Sequence, residues 1–293
     1  MLIRFAAVLA ATCSSAALAE IKVERIRYMS GTTIMDGILA YDDAAKGKLP
    51  GVLVCHEWWG INDYAESRAK QLAALGYVAF ALDLYGGGQN TTDPKVAGDT
   101  MGKLFETPKE VRERAAAGLQ ILAGQNRVDA TKLGVIGYCM GGTVALELAR
   151  SGLPNTENLR AVVAFHASTL AAKSAPDNKS IKGAVLVCHG QDDGFVKPEQ
   201  ITAFHKQMKD AGIDYEFVSY AGALHAFTNP AADKFGVPGV KYNEKADTRS
   251  WSAMKDLFTE VFSRTYPQSA KEQSKPAPSA PKPAEPEKPA KPG

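Results

Sequence analysis

The stretch GVIGYCMGGTVALELA, residues 134–149, is the part of the chain that decides the fold. A short apolar run ends just before Cys139, and residues typical of a helix follow it, so the pattern predicts a buried strand that turns sharply into a helix. Gly137 and Gly141 lie two residues away on either side of Cys139. This spacing is typical of a nucleophile elbow, in which the reactive side chain sits at the end of a strand.

The elbow predicts that Cys139 is a nucleophile. A strained turn needs small residues at the flanking positions, because side chains there would collide with the nucleophile. The N-terminus of the following helix favours a thiolate, and the backbone N–H of Met140 would point to the place where an oxyanion forms. The alternative is a glycine-rich turn that contains an incidental buried cysteine.

Possible partners for Cys139 follow it in the order that this motif uses, first an acid and then a histidine. Asp192 and Asp193 come just after one apolar run, and His225 lies in the segment after the next. A lone histidine is more often structural, and a pair of loop aspartates is usually a turn or a cap. The order and the placement at strand ends favour a catalytic role for His225 and for one of the two aspartates.

Apolar runs alternate with amphipathic stretches along the chain, which predicts parallel strands joined by crossover helices. Each run is short and nearly free of charge, as strands covered on both faces should be. Residues 21–42 are expected to form antiparallel edge strands. The predicted parallel strands are 51–55, 77–83, 132–138, 161–166, 183–189 and 215–220. The fold class is therefore α/β, with a mostly parallel sheet flanked by helices on both faces.

Helix boundaries are indicated by capping residues and glycines. Asp63 and Glu66 are typical of a capping box, and Thr107 followed by Pro108 marks another helix start. The predicted helices cover 63–76, 107–124, the residues after Cys139, 198–211 and about 243–265. The stretch 86–106 is glycine-rich and weakly patterned, so we expect a long loop, and loops of that length are often lids.

The two ends of the chain differ from residues 20–266, which are predicted to form one domain. Residues 1–19 contain Arg4, an apolar run and a small-residue site ending at Ala19, the pattern of a cleaved secretory signal. We therefore expect a periplasmic or secreted protein with no stable membrane insertion after signal removal. Residues 267–293 hold 8 of the 16 prolines. They should form a solvated tail, which is a spacer, a binding strip for a partner not specified by the sequence, or a dispensable end.

Composition excludes several classes of protein. A hydrophobic content of 45% is enough for a sizeable core, and the formal net charge of +2 indicates neither nucleic acid nor anionic lipid as a partner. The cysteines and histidines lack the spacing of a zinc site, so we expect no bound metal. Cys55 and Cys188 each end an apolar run and are expected to be buried thiols rather than a disulfide pair.

Four segments of the chain together resemble the dienelactone hydrolase family of the α/β-hydrolase superfamily. They are HEWWGIND (56–63), GYCMGG (137–142), HGQDDGFV (189–196) and GALHAF (222–227). The resemblance spans about residues 25–264 and implies the α/β-hydrolase fold. It places the family's aspartate at Asp193, through the Phe-Val pair that follows. It also implies that the Glu57 carboxylate contacts the resting thiol and helps to form the thiolate, and that Trp58 supplies the second oxyanion N–H. The alternative for Glu57 is a plain salt-bridge partner.

Two arginines that grip the substrate carboxylate in the family's type enzyme have no counterpart here. Gly87 and Asn229 stand at the corresponding positions. Each lost charged hydrogen bond would weaken recognition of an anionic lactone by about 1.5–3 kcal/mol. Trp59, Tyr85 and Phe227 instead suggest an apolar substrate pocket, the alternative being that these rings pack in the core or under a lid.

The sequence therefore predicts an exported hydrolase that cleaves a small-molecule ester or enol lactone. Cys139 would attack the carbonyl, His225 would carry the proton and Asp193 would orient His225. Water would then release the acyl group from a thioester, and no metal or organic cofactor is needed. Two other interpretations stay open: a thiol-based redox protein that uses Cys139, and a non-catalytic binding module on a hydrolase fold.

Overall fold

The structure is a computed structural model, and it describes residues 20–266 of the chain. The predicted signal sequence (1–19) and the predicted tail (267–293) lie outside the described residues. Within residues 20–266, none of the helices combines the length and the apolar character needed to cross a membrane.

One sheet of eight strands forms the centre of the molecule. The strands are β1 (Ile21–Ser30), β2 (Thr33–Asp42), β3 (Leu49–Cys55), β4 (Val78–Leu82), β5 (Val128–Tyr138), β6 (Leu159–Phe165), β7 (Ala184–Gly190) and β8 (Tyr215–Tyr220). Their order across the sheet is β1-β2-β4-β3-β5-β6-β7-β8. β3 to β8 run parallel, while β1 and β2 form an antiparallel pair at one edge. The predicted mostly parallel sheet with an antiparallel edge is confirmed.

Helices cover both faces of this sheet. They are α1 (Asp63–Ala74), α2 (Pro94–Phe105), α3 (Pro108–Ala123), α4 (Met140–Arg150), α5 (Pro198–Ala211) and α6 (Glu244–Ser263). α1 and α6 contribute to one apolar cluster, for example through Leu72 and Phe258. α2, α3, α4 and α5 contribute to the cluster on the opposite face, for example through Leu119 and Phe204. The parallel strands are apolar along their length because both of their faces are covered.

Of the two predicted helix starts, that of α1 differs from the structure by one residue and that of α3 is confirmed. The N-cap of α1 is Asn62, whose side chain accepts a hydrogen bond from the N–H of Ala65 at 3.3 Å, and Asp63 is the first helical residue. Thr107 does hold the N-cap position of α3, but its side chain makes no capping hydrogen bond. Asparagine and aspartate cap helices about equally well, so a neighbouring pair leaves the boundary uncertain by one residue.

The prediction of a long loop over 86–106 is wrong, because this stretch contains α2. Asp93 caps the helix by accepting a hydrogen bond from the N–H of Lys95 at 2.8 Å, and Pro94 occupies its first turn. Gly98 and Gly102 lie inside the helix and weaken its sequence pattern, since glycine is a poor helix former.

The parallel strands bring the candidate residues together beyond their carboxyl ends. Glu57 follows β3, Cys139 follows β5, Asp193 follows β7 and His225 follows β8. Ligand sites in open α/β sheets form at this carboxyl-terminal end of the strands.

Candidate active site

The turn from β5 into α4 has the backbone geometry of a nucleophile elbow. Cys139 has φ 54° and ψ −119°, a conformation that is strained for a residue with a side chain. A Cβ at Gly137 would lie 1.9 Å from the carbonyl oxygen of Gly141, and a Cβ at Gly141 would lie 2.2 Å from that of Cys55. Both positions therefore require glycine, because a Cβ there would collide with backbone atoms. The expectation that it would collide with the Cys139 side chain is wrong.

The structure brings Asp193, and not Asp192, against His225. Asp193 Oδ2 lies 2.8 Å from His225 Nδ1, and Asp193 Oδ1 accepts a hydrogen bond from the N–H of Phe195 at 2.9 Å. Asp192 is exposed, whereas the Asp193 side chain is buried. Because the carboxylate accepts on Oδ2, Nδ1 of the ring carries a proton, which leaves Nε2 for another partner.

The Cys139 thiol is that partner. The side chains of His225 and Cys139 form a hydrogen bond, and the Ser168 hydroxyl lies 3.5 Å from Cys139 Sγ. Burial lowers the pKa of His225, but the charge on Cys139 and the hydrogen bond with Asp193 outweigh it and raise the pKa to about 10. An imidazolium beside a thiolate is the arrangement from which a cysteine acts as a nucleophile.

Glu57 lies in the same cavity as Cys139 and is buried. Burial raises the pKa of its carboxyl group to about 7, although the hydrogen bond from Asn229 and the charge on His225 act in the opposite direction. Asn229 Nδ2 donates to Glu57 Oε2 at 2.6 Å. Within residues 20–266, no hydrogen bond joins this carboxyl group to the Cys139 thiol, and its Oε2 is bonded to Asn229.

Two backbone N–H groups are available beside the thiol. Met140 is the first residue of α4, so its N–H has no acceptor within the helix, and Trp58 lies in the turn that follows β3. Neither N–H has a backbone acceptor in the described part of the chain. Both are therefore free to donate to a substrate oxygen, as an oxyanion hole requires.

A small apolar cavity of about 140 Å³ opens at the thiol. Its lining residues come from the loops that follow β3, β5, β6, β7 and β8 and from α2. They are Glu57, Trp58, Trp59, Met101, Cys139, Ser168, Phe195, His225, Ala226, Phe235, Val237 and Val240. None of them is lysine or arginine. The rings of Trp58, Trp59 and Phe235 lie in contact one after the other, with centroids 4.8 and 4.7 Å apart.

Of the three predicted pocket residues, only Trp59 lines this cavity. The prediction for Phe227 is wrong, because its side chain is completely buried in the core against His166 and Tyr220. The prediction for Tyr85 is also wrong: the ring is buried behind the site, and its hydroxyl donates to the carbonyl oxygen of Trp58 at 2.8 Å. An aromatic residue next to a functional position can point to either side of the chain, and the sequence does not say which.

The two positions that correspond to the family's arginines do not face the cavity either. Asn229 is buried and bonded to Glu57, and Gly87 is exposed on a turn with φ 63°. A basic side chain at position 229 would therefore be buried beside Glu57 rather than presented to the substrate.

The two other cysteines within residues 20–266 behave as buried apolar residues. Cys55 and Cys188 are free thiols with no solvent exposure, and burial raises the pKa of Cys188 to about 12. Within residues 20–266, no group of three or more His, Cys, Asp or Glu side chains is arranged to hold a metal ion.

Sequence reasoning missed several residues of the site. Met101 reaches the cavity from the unpredicted helix α2, and Phe235, Val237 and Val240 reach it from a loop that pairs with His225. His225 donates its N–H to the carbonyl oxygen of Gly239 at 3.2 Å, which explains why this loop lies over the site. No local pattern in the sequence marks such a contact.

Several known proteins resemble this chain over most of its length. The sequence model of the dienelactone hydrolase family matches residues 35–262. The crystal structure of a dienelactone hydrolase-like promiscuous phosphotriesterase, P91 from metagenomic libraries, is 37% identical with a TM-score of 0.78, covering 82% of this chain and 98% of that one. The solved structure named m3DLH is 44% identical with a TM-score of 0.78 and the same coverage, 82% and 98%. A protein of Aquifex aeolicus with a provisional carboxymethylenebutenolidase name is 28% identical over 213 residues, 71% of this chain and 87% of its own length.

Proposed function

This chain belongs to the dienelactone hydrolase family of α/β-hydrolases, and we propose that it hydrolyses neutral esters or lactones through Cys139, His225 and Asp193. One observation supports this function most strongly. The thiol of an elbow cysteine faces a histidine whose other ring nitrogen is held by a buried carboxylate at 2.8 Å. Three residues in these relative positions form the arrangement used for nucleophilic acyl transfer.

In the first half of the proposed reaction, the Cys139 thiolate attacks the carbonyl carbon of the substrate and forms a C–S bond. The carbonyl oxygen becomes an oxyanion, which accepts hydrogen bonds from the N–H groups of Met140 and Trp58. When the tetrahedral intermediate collapses, the C–O bond breaks and the leaving oxygen takes the proton from His225 Nε2. The products are a thioester on Cys139 and the released alcohol or, from a lactone, the ring-opened end of the same molecule.

In the second half, water attacks the thioester. Neutral His225 accepts a proton from that water, and Asp193 stabilises the imidazolium that results. The C–S bond then breaks, the carboxylic acid product leaves and the thiolate–imidazolium pair is restored. For Glu57, we propose that the ionised carboxylate accepts the thiol proton in those molecules whose Cys139 is still protonated when substrate arrives, and so forms the thiolate of the thiolate–imidazolium pair. A carboxyl group with a pKa of about 7 can gain and lose a proton near neutral pH.

The cavity favours a small, uncharged substrate. Its wall is formed largely by aromatic and aliphatic side chains, and no lysine or arginine lines it. A substrate carboxylate that enters must give up hydrogen bonds to water without receiving a guanidinium in exchange, which makes its burial unfavourable.

A second candidate activity is the hydrolysis of neutral phosphotriesters. The relative P91 is described as a promiscuous phosphotriesterase, and it is 37% identical to this chain. The same thiolate could attack phosphorus, expel one alkoxide and form an S-phosphorylated enzyme that water hydrolyses. An uncharged phosphotriester also suits a cavity without basic residues.

The decisive experiment compares p-nitrophenyl acetate turnover by the purified chain and by three variants. Cys139→Ala should lose at least about 100-fold in kcat, because the covalent nucleophile is gone. Asp193→Asn should lose far more activity than the matched control Asp192→Asn, since only Asp193 contacts His225. Diethyl p-nitrophenyl phosphate, tested in parallel, decides the second activity.

The same experiment separates the two other interpretations. Unchanged turnover by Cys139→Ala would contradict the proposed mechanism. A protein that turns over no ester but is oxidised reversibly at Cys139 would be a thiol-based redox protein. A protein that does neither would be a binding module.

We also propose that the protein is exported, on the basis of the pattern in residues 1–19 alone. Mass spectrometry of the protein recovered from the periplasm or the medium should find Glu20 as its first residue. Intact protein with Met1 in the cytoplasm would contradict this.

A further inference from the structure

Two buried histidines outside the proposed triad each contact a backbone peptide of the site. We propose that His56 and His166 are positioning residues that hold the two halves of the oxyanion hole, as neutral imidazoles in opposite tautomers. Neither side chain has appreciable solvent exposure. The inference rests on the proposed function, because an oxyanion hole matters only if a carbonyl or phosphoryl oxygen gains charge there.

His56 holds the peptide that ends in the Trp58 N–H. The N–H of Leu84 donates to His56 Nε2 at 3.2 Å, so this nitrogen has no proton of its own. The proton of the neutral ring is therefore on Nδ1, which donates to the carbonyl oxygen of Glu57 at 2.5 Å. The N–H of Gly60 donates to the same oxygen at 3.2 Å. In a trans peptide the C=O and N–H point in opposite directions, so fixing this carbonyl also fixes the direction of the Trp58 N–H.

His166 holds the peptide of the nucleophile. The N–H of Cys139 is shared between His166 Nδ1 and the carbonyl oxygen of Phe165, each 3.0 Å away. Nδ1 therefore accepts, and the neutral ring carries its proton on Nε2. Nε2 then donates to Thr228 Oγ1, 2.7 Å away. Thr228 is itself held by Tyr64, whose hydroxyl lies 2.7 Å from Oγ1, and by Arg68, which donates to its carbonyl oxygen at 2.7 Å. Because Cys139 directly precedes Met140, the hydrogen bond between the Cys139 N–H and His166 also holds the backbone next to the Met140 N–H.

The backbone at His166 adopts an unfavourable conformation in order to make these contacts. His166 has φ 38°, which is uncommon for a residue with a side chain. Such strain persists only where the surroundings determine the conformation, as the two hydrogen bonds of the ring do here.

Both rings must stay neutral to act in this way. Burial lowers the pKa of His56 and lowers the pKa of His166 well below its usual value. A second ring proton would also point at a backbone N–H, at Leu84 for His56 and at Cys139 for His166, and would leave two donors facing each other.

The first test reads the tautomers without any assay of activity. The chain has 5 histidines, so ¹⁵N-histidine labelling of the purified protein gives few ring signals, which His56→Asn and His166→Asn assign by loss. At pH 7.5 we expect a proton on Nδ1 of His56 and on Nε2 of His166. The same tautomer in both rings, or a charged ring in either, would overturn the proposal.

The second test separates support of the oxyanion hole from a general structural role. In His56→Leu the donor to the Glu57 carbonyl is lost, and kcat for p-nitrophenyl acetate should fall about 100-fold with little change in KM. In His56→Asn the side-chain amide can take the place of Nδ1–H, so most of the lost kcat should return. Alkylation of Cys139 by iodoacetamide builds no charge on a carbonyl oxygen, so its rate should stay that of the wild type in both variants.

His205 provides the control, because it bonds Tyr215 on another part of the sheet, at 3.1 Å. His205→Leu should leave both kcat and the alkylation rate unchanged. A wild-type kcat in His56→Leu, or a parallel loss of alkylation, would overturn the inference. If the wild-type protein hydrolyses neither esters nor phosphotriesters, the proposed function is contradicted. The tautomers of His56 and His166 would still test whether the two rings make the proposed hydrogen bonds.

Discussion

At the scale of single residues, Glu57 is the group whose charge changes in the pH range where the enzyme would work. Burial raises its pKa to about 7, and the hydrogen bond from Asn229 limits that rise by favouring the carboxylate. Glu57 is therefore neutral below about pH 7 and ionised above it. If only the ionised form accepts the thiol proton, activity should rise with pH across this range.

The corresponding prediction concerns Glu57→Gln. The kcat/KM of the wild type should increase with a midpoint near pH 7, and that of the variant should not, because glutamine cannot accept a proton. At pH 8.5 the variant should be at least about tenfold slower, whereas the two should converge near pH 5.5. A pH profile of kcat/KM for a neutral ester measures this.

Asn229→Ala is the matched control, because it removes a hydrogen bond that favours the ionised form of Glu57. The pKa of Glu57 should then rise, and the midpoint of the profile should move to higher pH. If Glu57→Gln retains the wild-type profile, another group is responsible for the titration and Glu57 has no part in proton transfer.

At the scale of elements, the joint between β5 and α4 depends on a close approach of backbones. A Cβ at Gly141 would lie 2.2 Å from the carbonyl oxygen of Cys55 in β3, and neither segment can move without disturbing the sheet. Gly102 gives the opposite case. It lies on the exposed face of α2, where a Cβ would meet nothing within 4 Å.

The same substitution at these two glycines should therefore have opposite effects on stability. Gly141→Ala should lower the free energy of unfolding by about 1–3 kcal/mol or more through overpacking. Gly102→Ala should raise it by about 1 kcal/mol, because alanine is the better helix former. Urea denaturation of the two variants measures both changes, and a stable Gly141→Ala variant with wild-type activity would show that the elbow tolerates a side chain.

At the scale of the whole molecule, substrate preference follows from what the assembled loops place around Cys139. Five separate segments of the chain and α2 contribute to the cavity, and none contributes a lysine or an arginine. Neutral esters should therefore show a higher kcat/KM than carboxylated esters of the same size, by about tenfold or more. Kinetics with such a matched pair of substrates measure the difference.

Val237 is a suitable position for a charged control variant, because it lines the cavity and is only half-buried. Val237→Arg should narrow the gap between the anionic and the neutral ester, since a guanidinium can replace the water lost by the carboxylate. A preference of the wild type for the anionic ester would show that a basic group outside the cavity lining reaches the substrate.

The sequence by itself determined the architecture and the position of the proposed nucleophile. Local periodicity was enough to predict the parallel strands and most helices, because burial on both faces of a sheet leaves a pattern that neighbouring residues share. The elbow around Cys139 was visible for a similar reason, since a close backbone approach leaves only glycine at Gly137 and Gly141.

Only the tertiary structure decided which side chains share the site. Asn229 bonds Glu57 across 172 residues of sequence, and Phe227 points into the core although it lies two residues from His225. The contacts of His56 and His166 with backbone N–H groups are of the same kind. A side chain's direction depends on the rotation of its own backbone and on what packs against it, and both are settled only when distant segments meet.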